Sequence, residues 1–289
     1  MASVSVSGAQ LDVVERGQGT PLLFVHGSAS DRRSWQGQLD AFGARYRAIA
    51  YSRRWHWPNA PIGPGEDYAM LRHVDDLREV ILGLDAAPAH LVGHSYGAFV
   101  CLLLALREPA LVRSLVLAEP PAITLFASSP PRPPELLRLL VTRPRAATAL
   151  LKFGLGGVAP AVKAFRRGDD QHAVRLFGRA VFGPVGYDRM NPGRRGQIQD
   201  NLSNVKAELT GSGFAALDCE QLRQLRLPVL LLEGERSIPL FGQVMDRLAE
   251  LLPSARRVRL AGATHMLHGD NPDDFRAAVL DFLAGTGAS

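Results

Sequence analysis

Apolar and polar residues alternate along the first segments of the chain, Ser3 to Ser7 and Gln10 to Glu15, as in a half-exposed hairpin, with Gly8 placed to turn it. The pattern then changes. Leu22-Leu23-Phe24-Val25, Tyr46 to Tyr51, His90-Leu91-Val92, Ser114 to Ala118 and Val229 to Leu232 are short, mainly apolar runs, the signature of strands covered on both faces of a parallel sheet. Helical patterns run between them over Ser34 to Phe42, Met70 to Leu84, Ser95 to Leu106 and Leu240 to Leu252, and a last strand, Arg257 to Leu260, and last helix, Pro272 to Leu283, keep the rhythm. Strand and helix in alternation predict a doubly wound, mostly parallel α/β sheet.

One interval breaks this order. From Pro121 to Leu217 no comparable strand run occurs, and amphipathic pieces such as Glu135 to Val141 and Ala161 to Phe165 are punctuated by Pro and Gly. The division expected is a core formed by residues 1–120 and 218–289 with a helical cap inserted at 121–217. Because the insertion starts just past one sheet strand, it belongs over the C-terminal edge of the sheet, where open α/β sheets hold ligands. Its expected role is a lid.

Composition narrows the class. With 46% hydrophobic and 21% charged residues the chain reads as an ordinary globular protein, and the most apolar run, Ala98 to Leu106, is too short to span a bilayer before Arg107-Glu108-Pro109. The opening Met-Ala-Ser-Val-Ser-Val-Ser-Gly lacks a basic n-region and a long apolar h-region, so the cytoplasm is the expected compartment. Net charge is +5, but the 33 basic residues, all arginine except Lys152, Lys163 and Lys206, are scattered with no run longer than a pair. Charge so dispersed argues against a nucleic-acid partner. Cys101 and Cys219 are too few for a disulfide framework and lack zinc-site spacing; both read as buried small apolar residues.

The chemistry-bearing segment is Gly93-His94-Ser95-Tyr96-Gly97, which follows the strand at Leu91-Val92 and precedes the helix from Ala98. This is G-x-S-x-G in its strand-turn-helix setting, where two glycines permit the tight turn that exposes a serine hydroxyl at a helix start. Together with Leu22-Leu23-Phe24-Val25-His26-Gly27-Ser28 and Gly262-Ala263-Thr264-His265 followed by Asn271-Pro272, it makes the chain resemble the α/β-hydrolase superfamily over nearly its whole length. The resemblance implies Ser95 as nucleophile, His265 as general base, and the backbone N–H groups of Ser28 and Tyr96 as oxyanion-hole donors. His268 is the rival base, three residues on. His26 and His94 read as hydrogen-bonding backbone near the site, and His56, His73, His90 and His172 as structural or surface residues.

The acid departs from the commonest pattern. Most relatives read G-x-x-D after the penultimate strand, and here Gly234-Glu235-Arg236-Ser237 places serine at the aspartate position. Relatives resembling haloalkane dehalogenases carry the acid one strand earlier, where this chain has Ser114-Leu115-Val116-Leu117-Ala118-Glu119-Pro120. Glu119 is therefore the expected acid, with Glu235 and Glu233 as replacements. The likeness to dehalogenases and epoxide hydrolases ends there, since their nucleophile is aspartate and Ser95 points to acyl chemistry.

The function expected is a serine hydrolase of an apolar ester, lactone or thioester, working through an acyl-enzyme on Ser95 without metal or organic cofactor, as a monomer or homodimer. Hydrolysis of a C–C bond, a biosynthetic acyl transfer or cyclisation, and a ligand receptor with a retained triad are the alternatives. The segment Tyr51-Ser52-Arg53-Arg54-Trp55-His56-Trp57-Pro58 leaves a strand near the pocket and fits two roles. It lines an entrance for an apolar substrate with a negative group, or its tryptophans pack cap on core while its arginines hold carbonyls and carboxylates. Trp35 is expected in the core. The cap contributes Leu136, Leu137, Leu139, Leu140, Phe153, Phe165 and Phe177 to a greasy interior.

Overall fold

The computed structural model describes residues 2–286. Strands β1 (Ala2–Val6), β2 (Ala9–Arg16), β3 (Pro21–Val25), β4 (Arg47–Tyr51), β5 (Ala89–His94), β6 (Val112–Ala118), β7 (Val229–Gly234) and β8 (Ala255–Leu260) form one eight-stranded sheet. Its order is β1-β2-β4-β3-β5-β6-β7-β8. β1 pairs with β2 and β2 with β4 antiparallel, and every later pairing is parallel.

The central strands are covered on both faces, and their side chains divide with period two. Leu23, Val25, Leu91, Leu115 and Leu231 join one apolar cluster, while Leu22, Phe24, Val92, Val116 and Leu230 join the other. Of the flanking helices, α1 (Gln36–Gly43) covers the second cluster, and α2 (Met70–Gly83) and α3 (Tyr96–Arg107) cover the first. Trp35 is fully buried in the second.

Between β6 and β7 lie α4 (Pro133–Thr142), α5 (Pro144–Phe153), α6 (Ala159–Arg166), α7 (Asp170–Asp188), α8 (Pro192–Asp200) and α9 (Leu202–Thr210). They are followed by α10 (Cys219–Gln224), and then, around β8, by α11 (Pro239–Leu251), α12 (Leu267–Asp270) and α13 (Pro272–Thr286). A wide helical turn at Gly154–Val158 joins α5 to α6, and α7 breaks at Gly183, whose φ of +72° precedes Pro184. The α4–α9 segment has an apolar centre of its own around Phe165, Val174, Ile198 and Val205, which also packs on Ala29. Cys219 is not buried as expected: it is the first residue of α10 and half-exposed, whereas Cys101 is buried within α3. Among the described residues no helix is long and apolar enough to cross a membrane.

Candidate active site

The site lies at the C-terminal ends of β3, β5, β6 and β8. β3 has β4 on one side and β5 on the other, so the chain leaves this strand and β5 at the point where strand order reverses. Open α/β sheets form a crevice there.

Ser95 follows β5 with φ +52° and ψ −122°, a conformation that L residues rarely adopt. The two glycines make it possible. A Cβ on Gly93 would come within 2.4 Å of Ala98 Cα, and one on Gly97 within 2.3 Å of Val25 O. The Ser95 N–H donates to Ala118 O at 2.8 Å, which ties the turn to β6. Tyr96 begins α3, where backbone N–H groups have no acceptor inside the helix.

Glu119 leaves β6 with φ +46° and is fully buried. Its two oxygens have different partners: Oε1 accepts the Gly234 N–H at 2.8 Å, and Oε2 accepts the Nδ1–H of His265 at 2.6 Å. That fixes the imidazole tautomer and leaves Nε2 as a lone pair. His265 Nε2 is buried and makes no hydrogen bond. The ring lies flat on Phe241, centroids 3.9 Å apart and planes at 9°, and its carbonyl accepts the Nε2–H of His94 at 2.7 Å. Burial lowers the imidazole pKa and raises that of the Glu119 carboxyl, the latter opposed by the Ser237 hydroxyl and the Gly234 N–H. Each partner thus resists carrying charge alone.

The other acids point elsewhere. Glu233 is engaged by Arg257, and exposed Glu235 accepts the Gly262 N–H at 2.8 Å. His268 stacks on Trp35 with centroids 4.3 Å apart, away from the cavity that holds Ser95 and His265. His26 donates through Nδ1 to Gly27 O at 2.9 Å and accepts the Arg53 N–H through Nε2 at 2.9 Å. His56, His73 and His90 are buried, and His172 is exposed.

Ser95 and His265, with Ser28, Tyr96, Phe241 and Phe182, line a cavity of about 840 Å³ whose remaining wall comes largely from α4–α9. Two of its charged residues gave no signal in the sequence. Glu208, on α9, accepts the Ser28 Oγ–H at 2.6 Å, and burial pushes its carboxyl up to about 7. Arg194, on α8, donates through Nη1 to Ala29 O at 2.6 Å. Neither the acidic residue in a polar helix nor the arginine among many marks itself as internal; their burial follows from docking on the sheet.

The Arg53 to Trp57 segment does not line this cavity. Arg53 is buried and donates to His26 O at 3.1 Å, Gly27 O at 3.0 Å and Tyr68 Oη at 2.9 Å, and Arg54 pairs with buried Asp76. Trp55 O accepts from Asn204 Nδ2 at 2.9 Å, and the Trp57 N–H donates to Asn201 Oδ1 at 3.0 Å. Of the two roles the sequence allowed, bracing by the arginines and packing by Trp55 are seen, while Trp57 is 37% exposed and does not line the cavity.

A profile of the alpha/beta hydrolase family matches residues 22–278. A 2-(acetamidomethylene)succinate hydrolase from Mesorhizobium japonicum is 25% identical over 284 residues, 97% of this chain and 94% of the relative. Among solved structures, carboxylesterase CesB from Bacillus subtilis superposes with a TM-score of 0.72 at 20% identity, covering 98% of this chain and 91% of the esterase. An epoxide hydrolase from Bacillus megaterium gives 0.73 at 22% identity, covering 98% and 100%. The chain belongs to the alpha/beta hydrolase family.

Proposed function

We propose that the protein is a serine hydrolase that cleaves an ester, lactone or thioester through an acyl-enzyme on Ser95, with His265 as base and Glu119 as its acid. The observation that carries this reading is the buried Glu119–His265 hydrogen bond, which leaves Nε2 without a partner on a residue that lines the same cavity as Ser95. The carboxylesterase and the succinate-derivative hydrolase among the similar proteins support a hydrolytic acyl reaction. The epoxide hydrolase shares the fold, but Ser95 stands where an alkyl-ester mechanism needs a carboxylate.

In this reading Ser95 Oγ attacks the carbonyl carbon while its proton passes to His265 Nε2. The oxyanion lies against the N–H groups of Ser28 and Tyr96, donors in place before the reaction and each worth about 10² to 10³ in rate. Collapse breaks the bond to the leaving oxygen or sulfur, which takes the proton from Nε2. Water, deprotonated by the same nitrogen, then attacks the acyl carbon and releases the acid and Ser95. The α4–α9 helices act as a cap that walls this chemistry from bulk water.

A fluorophosphonate probe tests the assignment. It should label the protein at Ser95 and fail to label Ser95→Ala; unchanged labelling of that variant would overturn the nucleophile.

A further inference from the structure

Arg194 is unusual among the arginines of this chain. Its side chain is only 8% exposed, and it lines the cavity that holds Ser95 and His265. Nη1 donates to Ala29 O at 2.6 Å and Gln197 Oε1 at 2.9 Å, both neutral acceptors, and Nε is buried without any partner. Among the described residues no carboxylate forms an ion pair with it. Asp31 is near enough for its charge to be felt, yet its oxygens are already held by Arg33, Gln197 and Asn201. A buried guanidinium without a counter-charge is costly, and its planar fork of N–H groups matches a carboxylate.

The surroundings agree. The other cations of the cavity wall, Lys163 and Arg166, are exposed; its one carboxylate, Glu208, accepts Ser28 Oγ–H at Oε1, keeps Oε2 buried without a partner, and forms no ion pair with Arg194. On its other side Arg194 borders a second cavity of about 730 Å³, whose charged lining is otherwise Arg33, Arg189, Arg236 and Asp270. Arg33 there is paired with Asp31 and Asp200, whereas Arg189 and Arg236 form no ion pair among the described residues.

We propose that Arg194 receives a carboxylate of the substrate, so that the molecule hydrolysed carries an anionic group a short chain away from the scissile carbonyl. The spacing follows from Ala29, which holds the guanidinium and directly succeeds the oxyanion residue Ser28. This rests on the serine-hydrolase reading and narrows its substrate to an amphiphile, an apolar body with one charged end. The charge of Arg194 also reaches His265 and disfavours its imidazolium. A bound carboxylate cancels that effect, so the anion assists proton transfer as well as binding.

The test compares p-nitrophenyl hemiesters of succinate, glutarate and adipate with uncharged acyl esters of equal length. The wild type should favour at least one hemiester in kcat/KM by about ten- to a hundredfold, the range of a charge-assisted hydrogen-bonded pair. Arg194→Gln should bring that ratio close to one, and Arg194→Lys should restore part of it, with thermal melts showing that both variants fold. A merely structural Arg194 would lower all substrates together and leave the ratio unchanged, which overturns the proposal. Binding is measured separately from turnover: Ser95→Ala should bind monomethyl glutarate more tightly than methyl pentanoate, and Ser95→Ala/Arg194→Gln should not. If fluorophosphonate labels Ser95 while charge preference is absent from both assays, the carboxylate site fails and the nucleophile stands; charge-selective binding without labelling gives the converse.

Discussion

The carboxylate of Glu119 and the imidazole of His265 meet at 2.6 Å across 146 residues of sequence, with both side chains buried. The meeting depends on Glu119 leaving β6 in the left-handed region, and its second oxygen is fastened to Gly234 N. A side chain clamped at one oxygen can aim the other with little rotational freedom.

That clamp makes Glu119→Gln a sharp probe. The amide keeps the shape but cannot balance the imidazolium, so kcat should fall by about two to four orders of magnitude while the circular dichroism melt stays cooperative. Glu235→Gln should retain most activity, because its carboxylate serves the Gly262 N–H instead. Recovery of activity in Glu119→Ala on adding Ser237→Asp would show that two strand ends can supply the acid; full activity in Glu119→Gln would remove it from the triad.

Ser95 carries backbone strain. A non-glycine residue in such a region costs of order 1–3 kcal/mol, so Ser95→Gly should abolish ester turnover and yet raise unfolding stability by about 1 kcal/mol. Urea denaturation measures it. A destabilised glycine variant would mean that the serine side chain contributes more than its strained backbone costs.

Acid should unfold the protein early. Burial is the leading cause that holds His26 and His265 at about 3 and His90 at about 4, and His56, His73, His94 and His268 well below the ordinary imidazole value. Folded values below the unfolded one mean that the stability is full above about pH 6.5 and is lost as pH falls from there towards 3 to 4, at about 1.4 kcal/mol per pH unit for each group. Glu119 and Glu208, raised by burial to about 8 and about 7, act in the opposite sense but are outnumbered. Denaturation midpoints should fall steeply between pH 6.5 and 5; a flat profile would contradict the burial of neutral imidazoles.

Proteases should find the turn between α5 and α6 first. A Cβ would meet nothing within 4 Å at Gly154 or Gly156, and Leu155 is 70% exposed. By contrast α8 and α9 are tied to the core through Asn201 and Gln197 on Asp31, Asn204 on Trp55 O and Glu208 on Ser28. Limited trypsin or subtilisin digestion followed by mass mapping should place early cuts near 152–157, and early cuts within β3 to β8 would run against this division.

How much of this was legible in the chain follows from how local each signal is. The parallel strands and the elbow at Gly93 to Gly97 are written in short contiguous patterns, and both lie where those patterns put them. Glu119 was legible only by contrast, through the serine at position 237. The α8 sequence, Pro-Gly-Arg-Arg-Gly-Gln-Ile-Gln-Asp, reads as polar surface, and nothing in it separates buried Arg194 from its neighbour Arg195, which holds Met190 O and Asp188 O at the exterior. Trp55 and Trp57 were ambiguous for the same reason: their partners lie about 145 residues away on α9 and just before it.

β6 and β7 are parallel neighbours, Leu115 opposite Val229 through Ala118 opposite Leu232, so the chain leaves at the C-terminal edge of β6 for the α4–α9 helices and is carried back past α10 to the opposite edge, where β7 begins. Such a layout makes the intervening segment an exchangeable cassette. A foreign helical domain with closely spaced ends can be spliced in without moving any strand, provided that the upstream seam falls after Glu119 and the downstream seam before α10. Ser95, His265 and Glu119 then stay with this chain, while Arg194 and Glu208 leave with the helices that carry them, and the proposed preference for a charged substrate leaves too.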